Sequence, residues 1–115
     1  MHKPGRVSDL VVGELEFLRK LANFGSVINA IRLIVNATHA QVDCLVEIGF
    51  NVSHGTVHPS GKELARITMY LQTLKKLSVS RKYQDIRKLL ITSDGIGLMP
   101  VLLKPVIAMI ERQHR

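Results

Sequence analysis

The sequence predicts an all-α domain, either a compact bundle of about five helices or a pair of stacked, armadillo-like helical hairpins. Apolar residues recur at spacings of three and four through most of the chain, and no stretch reads convincingly as a strand. Helix-start and helix-stop residues punctuate those periodic segments. The composition agrees: 46% of the 115 residues are hydrophobic but only 4% are aromatic and none is Trp, so the core must be built from Leu, Ile and Val. A chain of this size buries one modest core. The expected organisation is a basic arm over 1–7, a single helical domain over 8–112 and a frayed polar tail over 113–115.

Ser8 or Asp9 caps the first helix, which the pattern Leu10, Leu15, Leu18 and Ala22 carries to about Asn23, with Gly25 as its stop. Ser26 starts the second. There Val27, Ile28, Ile31, Leu33, Ile34 and Val35 surround almost the whole circumference, which predicts a helix buried on most sides and central to the fold. Asn36 to His39 interrupts the run with poor helix formers, Gln41 to Ile48 resumes it, and Gly49 closes it. Phe50 to Pro59, with Gly55 and Pro59, predicts a loop.

Ser60-Gly-Lys-Glu63 is a capping box, the Ser hydroxyl serving one backbone N–H and the Glu carboxylate reaching back to another. Behind it Leu64, Ile67, Leu71 and Leu74 predict one buried face of a helix running to about Leu77, with Lys62, Arg66, Gln72, Lys75 and Lys76 mostly opposite. Ser78-Val79-Ser80 breaks that helix. Tyr83, Ile86, Leu89 and Leu90 mark the next, Asp94-Gly95 predicts a turn, and Leu98 to Ile110 predicts a last helix with a kink or restart at Pro105.

The single Cys44 has no partner for an internal disulfide and lies in an apolar helical run, which suits a buried thiol in a reducing compartment. The N-terminal stretch carries no apolar core of a secretory signal, so the expected location is intracellular. No membrane partner is expected, since no uncharged apolar run reaches the ~18 residues of a span. Asn51-Val-Ser53 matches a glycosylation acceptor only formally. His54-Gly-Thr-Val-His58 offers two imidazoles where a structural zinc site needs four ligands, so neither a metal nor any other cofactor is expected. Nine scattered acidic residues and no nucleophile, base or phosphate-loop motif argue against an enzyme.

A formal charge of +7 and a pI near 10.0 favour an acidic partner. The charge is concentrated: Lys75, Lys76, Arg81, Lys82, Arg87 and Lys88 place six of sixteen basic residues in fourteen positions around the Val79 break. In the same region Leu71-x-x-Leu74-x-x-Leu77, then Val79-Ser80, then Leu89-Leu90-Ile91-Thr92 and Ile96-Gly97, resembles the N-terminal domain of transcription elongation factor TFIIS. It is similar in outline to the integrase-binding domain of lens-epithelium-derived growth factor. Ala30 to Phe50 resembles an armadillo-type helix-turn-helix.

The TFIIS resemblance implies a nuclear adaptor whose helix-connecting turns, here Val79 to Lys82 and Ser93 to Leu98, grip short peptides carrying acidic residues and an aromatic anchor. The expected site is then the six cations with Val79, and with Ile96 and Leu98 as an apolar pocket beside them. The alternative is a small basic regulatory protein, viral or cellular, whose Lys75–Lys88 cluster contacts RNA or DNA phosphates. That reading has only Tyr83 near the cations for base stacking, and no recognition helix. The oligomeric state is not legible in the sequence.

Overall fold

The computed structural model of the chain describes residues 8–55 and 60–113. Among them are eight helices: α1 (Asp9–Gly13), α2 (Leu15–Ala22), α3 (Val27–Val35), α4 (His39–Ser53), α5 (Gly61–Thr68), α6 (Leu71–Val79), α7 (Tyr83–Leu90) and α8 (Ser93–Gln113), with no strand. The all-α class is as expected; the number of helices is higher because three predicted helices are each divided, the first at Glu14, the second at the 36–38 interruption and the third at Met69-Tyr70. The basic arm, residues 56–59 and residues 114–115 lie outside the described residues, and with them His58.

The centre of the fold is α8, which packs against every helix from α2 to α7. It is also the one described helix long and apolar enough to cross a membrane, with mean hydropathy 1.5, but half of that window is buried inside the fold. Leu98, Met99, Leu102, Leu103 and Val106 are fully enclosed within it. A helix that is apolar over so much of its surface can also be buried in a protein core, and here α8 fills that place. It runs through Pro100 and Pro105 without a restart at either.

That position was expected of α3, whose burial is in fact one-sided. Ala30 and Ile34 are its buried residues, while Val27, Ile28 and Val35 are 56, 64 and 52% exposed. Apolar residues all around a helix show that it can be buried everywhere; they do not supply the neighbours.

The capping expectations fare better. Ser8 accepts the Val11 N–H and donates to the Glu47 carboxylate, tying α1 to α4. Ser26 caps α3 through the Asn29 N–H, and Gly25 takes a φ of +74°, the left-handed value that glycine reaches without strain. Ser60 and Glu63 form both bonds of their capping box, at 3.2 and 2.8 Å. Thr38 and Gln41 make a second box that starts α4, with bonds of 2.9 and 3.1 Å.

Three boundaries are corrected. Gly49 does not end α4, which continues through Phe50 to Ser53; a Cβ at Gly49 would lie 2.9 Å from Leu77 Cδ2, so the glycine lets α6 approach. The long helix after Ser60 turns at Met69-Tyr70, where the N–H groups of both residues bond three residues back. The turn lets α5 pack on α8 while α6 packs on α4. It also takes Leu64 and Leu71 out of the buried face that they were expected to share with Ile67 and Leu74. Asp94-Gly95 is not a free turn: Thr92 Oγ1 accepts the Gly95 N–H at 3.0 Å and starts α8 there.

Candidate functional site

Residues Lys75, Lys76 and Val79 share one face of α6, because they stand three and four positions apart. Thr73, Leu74 and Leu77 face the core on the other side. The helix ends at Ser80, whose backbone is extended and whose hydroxyl donates to the Lys76 carbonyl. Ser78 does the same to the carbonyl of Lys75. Three residues after Ser80, at Tyr83, α7 begins. This short corner holds the Val79 side chain 74% exposed, with Lys75, Lys76, Arg81 and Lys82 exposed around it.

None of those four cations has a carboxylate partner: the ion pair among the described residues joins Arg19 and Glu111, 3.3 Å apart. Their charge is therefore left to solvent or to a partner. Lys88, also exposed, lies in the last turn of α7.

Arg87 is different. Its guanidinium donates at 2.7 Å to the carbonyl of Ala37, in the link between α3 and α4, and its Nε is buried without a partner. It fastens α7 to that link and does not belong to the exposed cluster. Tyr83, at the start of α7, is fastened too. Its ring stacks on His39 with centroids 3.9 Å apart, and its hydroxyl donates to Asp43 at 3.1 Å. That bond to a carboxylate holds the phenolic proton and raises the Tyr83 pKa above its ordinary value.

Ile96 and Leu98 do not form an apolar pocket at the surface. Both are buried in α8, Leu98 completely, because the stretch from Ser93 that was expected to be a turn is the first part of the core helix. Of the expected residues, those that gather at the surface are at the α6–α7 corner: the exposed Val79 and the cations Lys75, Lys76, Arg81 and Lys82, with Lys88 one helix away. Their charge and spacing are legible in the sequence. It could not show that Arg87 turns inward, since nothing at i±3 or i±4 names Ala37 as its partner.

Other places were weighed for chemistry. A cleft of about 660 Å³ between α2 and α3 is lined by Phe17, Lys20, Phe24, Arg32 and Leu33. The amides of Asn23, Asn29 and Asn36 on its rim each donate to a backbone carbonyl near a helix end, so those groups serve the fold. Among the described residues no three His, Cys, Asp or Glu side chains gather as a metal site requires.

The Cys44 thiol is enclosed, and burial, with Glu47 and Glu14 adding to it, pushes its pKa from 9.0 to about 12. Iodoacetamide at pH 8 is expected to leave Cys44 unmodified in the folded protein and to alkylate it in urea, as mass spectrometry would read. Because the folded pKa is the higher one, the stabilising effect is complete below about pH 9 and is lost as pH rises towards about 12. Equal alkylation rates in both states would contradict the burial.

The fold and the corner define a class: an all-α domain presenting a basic, partly apolar corner at its surface. Comparison with protein-family models, curated proteins and solved structures finds no match to this chain.

Proposed function

We propose that the protein is an interaction module that binds a short acidic peptide segment of another protein at the α6–α7 corner. Val79 is the observation that carries this reading. An apolar side chain 74% exposed at a helix end, beside four cations without carboxylate partners, offers both halves of such a contact. The valine gives an apolar or aromatic anchor a surface to cover, and Lys75, Lys76, Arg81 and Lys82 set the charge and register around it. Lys88 extends the positive field along α7. A pure phosphate binder would use the cations and gain nothing from the valine.

The nuclear, transcription-linked setting belongs to the same proposal and rests on the TFIIS-like spacing of Leu71, Leu74, Leu77 and the Val79-Ser80 break. The armadillo-like arrangement of helical hairpins is the finer fold that goes with it. The second reading, RNA or duplex DNA held by Lys75, Lys76, Arg81 and Lys82, has the net charge of +7 in its favour.

The test is a titration of the domain with RNA, duplex DNA and a pool of acidic peptides each carrying one aromatic residue, at low and high salt. Peptide binding is expected to persist at high salt and to shift the NMR signals of residues 75–82. Val79→Ser should weaken it about tenfold, and Lys75→Glu with Lys76→Glu at least as much, with stability changed by less than about 0.5 kcal/mol. Binding of nucleic acid alone, abolished by salt and indifferent to Val79→Ser, would sink the adaptor reading.

A further inference from the structure

Two serine hydroxyls stand among the cations of the α6–α7 corner and have no part in the contact proposed for Val79. Lys75 and Lys76 precede Ser78 and Ser80 in the chain, and Arg81 and Lys82 follow directly. Asp85 is the only acidic residue from Leu64 to Ser93. Among the described residues none of the four cations is ion-paired, so nothing local neutralises them. A serine flanked on both sides by unpaired Lys and Arg is what a kinase with an acidic substrate cleft selects, by charge complementarity.

Backbone geometry separates the two serines. Ser78 belongs to the last turn of α6, where a phosphate would lie beside the free carbonyl ends of the helix and be repelled by them. Ser80 stands just past that turn in extended backbone, with φ −73° and ψ 138°, and Lys82 is extended too, with φ −95° and ψ 127°. Ser80 is partly exposed in this link. An acceptor hydroxyl has to reach the kinase's catalytic carboxylate in line with the phosphoryl group, and an extended surface link can enter a cleft where a packed helix cannot. The Ser80 hydroxyl donates to the Lys76 carbonyl at 2.5 Å, and phosphorylation ends that bond. The following helix offers a favourable neighbour: α7 starts at Lys82, whose side chain cannot accept a bond, so its positive end has no side-chain cap.

We infer that Ser80 is a phosphorylation site of kinases that read basic residues, and that its phosphate, folded onto Lys75, Lys76, Arg81 and Lys82, releases the acidic peptide from the corner. In the transfer, the γ-phosphorus of a nucleoside triphosphate bonds to Ser80 Oγ while its bond to the β-bridging oxygen breaks. Nucleoside diphosphate leaves, and the hydroxyl proton passes to the kinase's carboxylate base. The product carries a charge of about −1.5 to −2 at pH 7, set among four positive ones. Being tethered to the cations, it meets them at an effective concentration that a free peptide does not match, and it repels the peptide's own carboxylates. The release rests on the peptide reading of the corner; the modification site does not.

The folded chain, and a synthetic peptide covering 72–84, are treated with ATP and a purified kinase selective for basic residues. Tandem mass spectrometry is expected to find a phosphoryl group on Ser80 in both, and none at that position in Ser80→Ala. Transfer to the peptide but not to the folded chain, transfer to neither, or transfer to Ser78 in place of Ser80 overturns the site. In the phosphorylated chain, phosphorus NMR should show the second ionisation of the phosphate about half a pH unit or more below its ordinary value of about 6. Lys75→Ala with Lys76→Ala should move it part of the way back, and an unshifted phosphate overturns the pairing with the cations. Acidic peptides carrying one aromatic residue should bind the phosphorylated chain at least about tenfold more weakly than the untreated one, and kinase-treated Ser80→Ala as tightly as untreated Ser80→Ala. Unchanged affinity overturns the release and leaves the peptide module standing. An untreated chain that binds no peptide ends the module and the release with it, while the mass and phosphorus measurements decide the site by themselves.

Discussion

Leu98→Ala is expected to remove about 3 kcal/mol of folding stability, read as a fall in the urea midpoint, and to lower the melting temperature by roughly 10–15 °C. Leu98 is completely enclosed in α8, within the same core cluster as Leu102, Leu74 and Leu90. Removing three carbons there loses the transfer free energy of the side chain and leaves a cavity that rigid neighbours close only in part. Against a total of about 5–15 kcal/mol for a domain of this kind, the loss is a large fraction. The same substitution separates two roles for the residue. If Leu98 lined a surface pocket, peptide affinity would fall while stability held. The enclosed position predicts the reverse at temperatures where the variant is still folded: stability falls, and peptide binding at the Val79 corner is retained.

The difference between those roles shows where sequence reasoning stops. Periodicity placed Leu98 and Ile96 on a helix or its entrance, but it does not say which of several apolar helices lies at the centre. The pattern of α3 is apolar nearly all round and that of α8 is interrupted by Pro100, Lys104 and Pro105, so α3 looked the more central of the two. Geometry reverses this. α8 is 21 residues long and reaches six other helices, whereas α3 is nine residues long and packs on one side only. A short helix cannot collect enough neighbours to cover its whole circumference. The surplus apolar residues of α3, read at first as core, are then the mark of an exposed face.

Local signals were legible where the chemistry was local. Ser60 with Glu63, Ser26 and Gly25 act within four residues of themselves, and each does what its type predicts. Thr38 with Gln41 obeys the same rule and could have been read the same way. The corners at Glu14 and at Met69-Tyr70 had no such marker. They arise because α2 and α5 each pack against α8 while their preceding or following helices go to α4, a tertiary demand that overrides a continuous helical pattern. The cations of the candidate site were legible one by one, and all but Arg87 remain at the surface.

Gly95→Ala is the variant in which a single methyl group should cost most. A Cβ at Gly95 would lie 2.3 Å from the carbonyl oxygen of Leu89 and 2.6 Å from the Cα and oxygen of Leu90. All three atoms are backbone, so no rotamer change can relieve the overlap. The chain at this corner is held by Thr92, whose hydroxyl donates to Leu89 O at 2.6 Å and accepts from the Gly95 N–H. Relief therefore requires α8 to move away from the end of α7. Overpacking of this sort costs about 3 kcal/mol or more, against which the helix propensity of Ala returns at most about 1 kcal/mol. Gly97→Ala supplies the comparison. Its Cβ would meet the Tyr70 ring, 2.7 Å from the hydroxyl and 2.9–3.0 Å from ring carbons, and that half-buried side chain can swing outward. Here the propensity gain nearly offsets the strain, and a net change within about 1 kcal/mol is expected. Urea titrations of the two variants side by side should then differ by about 2 kcal/mol or more. Equal midpoints would mean that α7 and α8 do not approach as closely as Leu89, Thr92 and Gly95 place them.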